Sequence, residues 1–404
     1  VHMARLTSEE LQTLMKNEGV SRIWSWSKWN CFHTSPYEYF LKYILHKKED
    51  RTDCIYTTTG GIAHDIMERR YTGKLPYEQM IDDFEDGWVT AFNIAEMKFD
   101  RNSPEKNDKI SQKYYENLKH FFMNHTPLKY KPVIEQFVKV KIGDNLFQGY
   151  IDVCFKDDEG NFNILDWKTS SIYKGKKAEN ECGQLVVYAI GLNQQGVPMD
   201  KIHICWNFLK YVSIQYEQAN GAVKTREVER CKIGESLQTN AKMWLKKLGY
   251  TDQVDDYLKL LLDTNDIKCL PKEVQEKYII SDCYVYVPLT DELINRWKET
   301  IISTINDIEL REKDYEETHS DKAFWDTDES VEAQSYYFST LCGYSPNLHL
   351  PYKAYLERTE KAKDGDVFSG VGSSTVESSP VAQTNKVIHQ KDTENVDLSW
   401  LDNI

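Results

Sequence analysis

Nowhere does the 404-residue chain hold the run of about 18 apolar residues that a membrane-crossing helix needs. It opens with no charged segment followed by an apolar one, so no secretory leader is read; Met3, behind Val1 and His2, is the expected natural start. Nine cysteines are scattered with no C-x-x-C pair, which argues against a closed zinc knuckle and a disulfide framework and for a reducing compartment. No G-x-x-x-x-G-K-[ST] loop occurs, so the chain has no phosphate-loop motor of its own, and no repeat of fixed period is found. Positive charge is short as well: 50 Lys and Arg against 64 Asp and Glu give −14. A grip on nucleic acid spread over the whole surface is thereby excluded. Phosphate binding must come from a local basic patch or from metal ions.

What is present is the composition of a globular protein, long enough for one large domain with insertions or two of ordinary size. Residues 5–20 read as an amphipathic helix. The aromatic stretch from Ile23 to Trp29 leads into further helical spacing at Phe40–Ile44. Thr57-Thr58-Thr59-Gly60-Gly61 reads as a break, after which a helix carries His64. Two more helices are expected over 77–98 and 108–124. From Pro132 the period changes to two: strands over 133–142, 146–155 and 162–168, separated by Gly143-Asp144-Asn145 and Asp157-Asp158-Glu159-Gly160, form a meander. A helix from about Glu181 to Leu192 and a strand from Ile202 to Phe208 follow. A hairpin is expected around Asn220-Gly221, helices over 233–263 and 290–313, and a strand at Cys283–Val287. Near Lys361 the composition turns to Gly, Ser, Val and Thr, which reads as a disordered acidic tail over 361–404.

Chemistry concentrates in Gly149-Tyr150-Ile151-Asp152 and Ile164-Leu165-Asp166-Trp167-Lys168. Strand alternation puts Asp166 and Lys168 on one face, within reach of Asp152 on the neighbouring strand. Buried charges are costly unless paired or bound to a metal, and paired carboxylates suit Mg²⁺ or Mn²⁺. An isolated Asp-x-Lys says little: Asp266-Ile267-Lys268 fits it too. The ordered set is what carries information. G-x-x-D, a turn, then an apolar strand ending in D-x-K resembles the PD-(D/E)XK nuclease superfamily, and more narrowly its RecB-like branch.

Further matches follow in that branch's order. Ser25-Trp26-Ser27-Lys28-Trp29 with Phe32 and Ser35-Pro36-Tyr37 resembles the N-terminal S-x-S motif, Gly60 to His64 the G-x-x-x-H helix, and Gln184 to Tyr188 the Q-x-x-x-Y motif. The resemblance spans about residues 22–210. It implies an α/β, restriction-endonuclease-like fold: a mixed central sheet flanked by helices, with a helical N-terminal part (1–131), a nuclease core (132–210), a mixed α/β insertion (211–335), a C-terminal closure (336–360) and the tail. It implies metal-dependent DNA cleavage by an exonuclease or end-processing enzyme of recombination or repair. His64, Asp152, Asp166 and the carbonyl of Trp167 would hold Mg²⁺ or Mn²⁺, with Lys168 as catalytic partner. Gln184 and Tyr188 would contact DNA with free ends or single-stranded regions, Lys174, Lys176 and Lys177 fall where its backbone must pass, and Glu135 resembles an acid of the first core strand. The expected setting is the cytoplasm of a bacterial or phage-infected cell.

Many RecB-like relatives hold an iron–sulfur cluster. Here Ser35 and Ser345 stand at thiolate positions and only Cys342 remains, so no cluster is expected, with the chain ends stapled instead by Tyr337, Phe338, Tyr344 and Pro36-Tyr37. In the tail, residues 360–404 hold 8 acidic and 4 basic side chains. Val396, Leu398, Trp400 and Leu401 make 395–404 a candidate docking peptide for a protein partner, loosely similar to the clamp-binding peptides of bacterial replication proteins. Two alternatives stay open: a non-catalytic DNA-binding scaffold, and the nuclease subunit of a helicase–nuclease complex.

Overall fold

The structure, a computed structural model, describes residues 6–366. Seven strands form one mixed sheet: β1 (Ile23–Ser25), β2 (Val133–Ile142), β3 (Asn145–Lys156), β4 (Phe162–Lys168), β5 (Ile202–Glu217), β6 (Val223–Glu229) and β7 (Tyr278–Val287). β2, β3 and β4 are the antiparallel meander that the period-two pattern predicts. Its turns use Gly143 and Gly160 at φ 59° and 80°, where a side chain would be disfavoured. β4 and β5 run parallel, joined by the helices Lys176–Glu181 and Gly183–Gln194. The fold is therefore the restriction-endonuclease-like α/β architecture expected, a mixed sheet covered by helices.

Each face of the sheet has its own core. On one side Leu165, Trp167, Cys205 and Leu209 pack under the helices Ile55–Tyr71, Met80–Trp88 and Pro104–Asn124. On the other, Ile164, Trp206 and Phe208 meet the helices Trp26–Thr34, Gly183–Gln194 and Asp291–Thr318. A third core gathers Val212 and Ile214 beneath the helices Ile233–Lys247 and Val254–Thr264.

Four local readings change. The helix bearing His64 starts at Ile55 and runs straight through Thr57–Gly61. Thr59 and Gly60 are buried, and packing against the sheet outweighs the low helix propensity of that stretch. β1 was not expected from an aromatic run; it pairs in parallel with Leu146–Gln148 of β3. Lys176 and Lys177 open a short helix and are not in a loop. Residue 210 lies inside β5, so the expected insertion is continuous with the core sheet.

The chain ends meet as expected, through different atoms. Ser35 Oγ donates to Asp326 Oδ2 (2.9 Å) and lies 3.1 Å from His349 Nε2. The buried Glu38 carboxylate accepts from Tyr337 and from the thiols of Cys31 (3.6 Å) and Cys342 (3.9 Å). Tyr37 and Phe338 flank His349, while Ser345 lies on the surface against Asp50. The expected tail and its peptide 395–404 lie outside the described residues, except that the last helix, Leu350–Asp366, continues past Lys361. No helix among the described residues is long and apolar enough to cross a membrane.

Candidate metal-ion active site

The site opens where the sheet splits. The β3–β4 ladder ends at Val153↔Leu165, so Asp152 and Asp166 would be its next pair. β2 occupies the opposite edge of β3, which leaves Gly149–Asp152 bare between β1 and β4. Diverging strands thus turn two acids toward each other in a gap otherwise walled by apolar side chains.

Glu135 extends the row. The β2–β3 register places it opposite Asp152, yet the pair is interrupted because Glu135 adopts φ 53°. A left-handed residue inside a strand costs on the order of 1–2 kcal/mol, and such strain gathers at functional sites. Three carboxylates from three neighbouring strands therefore converge.

His64, on the helix above, has Nε2 at 2.8 Å from the Trp167 carbonyl oxygen and Nδ1 at 3.4 Å from Asp152 Oδ2. Lys168 Nζ lies 2.6 Å from Asp166 Oδ2, a buried ion pair. Burial, then the charges of Asp166 and Glu135, hold the Asp152 carboxyl well above the usual carboxylate range, and it hydrogen-bonds to Asp166. Burial pushes the Lys168 ammonium down, but Asp166 more than offsets this and leaves it raised.

These features suit a hard divalent cation. Ligand atoms of His64, Asp152 and Asp166 all lie within 4.8 Å of one another. Two carboxylates and an imidazole are a donor set for a divalent metal ion, and a cation would relieve the repulsion felt by Asp152.

Gly149 explains its place in the motif. A Cβ there would lie 2.4 Å from the Tyr188 ring. The bare strand lets Tyr188 approach, and Gln184 Nε2 donates to its hydroxyl at 3.0 Å. Asp152, Asp166 and Glu135 all act on the Tyr188 phenol, which burial raises, so this helix faces the acids.

The three lysines are not brought together. Lys174 is tied to Glu227 of β6 at 2.6 Å, Lys177 lies over the Tyr173 ring at 4.9 Å, and Lys176 is exposed. Tyr173 was missed from sequence. It is buried against Trp206 and Phe208, and burial pushes its phenol up to about 12 while Lys168 pulls it down. Its only signal was an aromatic five residues past Lys168. Asp266 and Lys268, the decoy pair, sit on a surface turn.

A family model described as the PD-(D/E)XK nuclease superfamily matches residues 23–322. Among curated proteins, none matches the chain at a significant level.

Proposed function

Because the chain belongs to the PD-(D/E)XK nuclease superfamily, we propose that it hydrolyses DNA phosphodiesters with a divalent ion held by His64, Asp152, Asp166 and the Trp167 carbonyl. The observation that carries this reading is the meeting of Asp152, Asp166 and His64 beside Lys168 at the split of the sheet. When bound, Mg²⁺ or Mn²⁺ lowers the pKa of a water and screens phosphate charge. Asp152, whose carboxyl the neighbouring acids hold above the usual range, would release its proton to solvent on holding such an ion, and Glu135, directly across the strand, is placed to complete the acidic set. Lys168, held charged by Asp166, orients the attacking water or steadies charge on the phosphoryl oxygens. Gln184 and Tyr188 position the scissile strand from the facing helix.

The RecB-like order of motifs supports an exonuclease or end-processing role in recombination or repair. The test is end-labelled single- and double-stranded DNA with Mg²⁺, Mn²⁺ or EDTA. Cleavage should appear only with metal, and products should shorten from the ends. Metal-independent cleavage, or none by the native chain under any of these conditions, removes the proposal.

A further inference from the structure

With a charge of −14, the protein must hold its substrate through local cations, and the lysines after the catalytic strand do not form one group. A different region carries the excess. Between Tyr216 and Lys247 the chain has seven basic and four acidic side chains, a net of +3. It comprises the end of β5, the hairpin turn, β6 and the helix Ile233–Lys247.

Here an open pocket of about 660 Å³ lies between the hairpin and that helix, lined by Tyr216, Asn220, Arg226, Thr239, Asn240 and Met243 among others. The Arg226 guanidinium lies 5.0 Å from the Tyr216 ring centre, and its buried Nε has no hydrogen-bond partner. Lys224, on the hairpin, and Lys242 and Lys246, on the helix, are exposed and have no carboxylate within ion-pair distance among the described residues. Exposed lysines on the two elements that flank the pocket, with Arg226 in its wall, match the requirements of a phosphodiester backbone.

Topology says where this patch stands. β7 takes one edge of β5, so β4 and β6 must follow each other along the other edge. β4 ends at Lys168, opposite Phe208, while β5 continues to Glu217 through a bulge between Asn207 and Val212. Along the partner strand β7, Asn207 pairs with Tyr284 and Tyr216 with Tyr278, so the hairpin projects past the catalytic end of the sheet by about 20 Å at roughly 3.3 Å per residue. A duplex covers that distance in about six base pairs.

We propose that the β5–β6 hairpin and the helix Ile233–Lys247 form a second nucleic-acid contact, which takes the phosphodiester backbone of the duplex about six base pairs from the cut. This rests on the nuclease reading above and adds a length requirement to it.

The test uses the full chain and a Lys224→Ala/Lys242→Ala/Lys246→Ala variant, whose exposed positions leave the cores untouched. Binding is measured on an end-labelled duplex of about 20 base pairs in Ca²⁺ across a salt series, and turnover in Mg²⁺ on that duplex and on one of about four whose far end is closed by an uncharged ethylene-glycol bridge. The variant should bind the long duplex about tenfold more weakly, and its slope of log affinity against log salt should be smaller by nearly three. KM should rise about tenfold on the long duplex only, with kcat unchanged. An unchanged affinity and salt slope would overturn the proposal, as would an equal KM rise on the short duplex. Should the native chain bind DNA but cleave none, the catalytic reading fails alone, and the salt slope still decides this contact.

Discussion

Asp166 and Glu38 are buried almost equally, at 6% and 3% exposed, and are dressed in opposite ways. Around Glu38 a phenol and two thiols donate, and Ser35, Asp326 and His349 close a second set beside it. Around Asp166 stand a second carboxylate and one ion-paired lysine. The first cluster gives the Glu38 carboxylate three donors and joins Cys31–Glu38 to segments about 300 residues away. The second holds two acids side by side, a repulsion that a cation would relieve. Burial alone does not separate a staple from an active site; the charge placed beside the carboxylate does.

The largest test of that contrast removes one acid at the site. Asp152→Ala should lower cleavage more than about a thousandfold while the melting temperature holds or rises, since repulsion is relieved. A variant that melts well below the native chain would place Asp152 with the staples. Next, Lys168→Ala should cut turnover by about a hundredfold or more and keep Mn²⁺ binding in calorimetry. Loss of the metal with retained cleavage would contradict the role given to this lysine.

Glu38→Ala should do the reverse. Buried donors lose their acceptor, so denaturant unfolding should show a loss of about 2 kcal/mol, with kcat per folded molecule unchanged.

The smallest effect concerns pH. Burial lowers His349 to about 4 and raises Asp326 to about 7. Alone, the histidine would lose stability as pH falls from its unfolded value toward 4, and the aspartate would lose it as pH rises toward 7. Between those limits the pair holds one proton both folded and unfolded, so the slopes offset. Asp326→Asn should unmask the histidine, with roughly 1 kcal/mol more lost between pH 6 and pH 5 than the native chain loses. A variant whose profile matches the native chain's would show that the two groups do not share that proton.

How legible each region was follows from the range of its contacts. The meander, Asp152, Asp166 and Lys168 were readable because alternation and two turn clusters are local signals. His64 and the Gln184–Tyr188 helix were readable from motif order. Glu38, Asp326 and His349 were not, since their partners lie some 300 residues apart and a lone polar residue in a helix usually faces water. The left-handed Glu135 was hidden too: nothing in Val133-Ile134-Glu135-Gln136 announces a positive φ. The break read at Thr57–Gly61 failed because the stretch is packed against the sheet, which propensity does not see.

β5 has one more consequence. Ile204, Trp206 and Phe208 serve one core, Cys205 and Leu209 a second, Val212 and Ile214 a third. A single strand is thus the shared spine of the catalytic sheet and of the projecting hairpin. No seam separates them at which evolution or an engineer could lift the hairpin out as a cassette. To shorten it is to retune the strand that backs Asp166, so any lineage that resized its reach along the substrate had to readjust its chemistry in the same step.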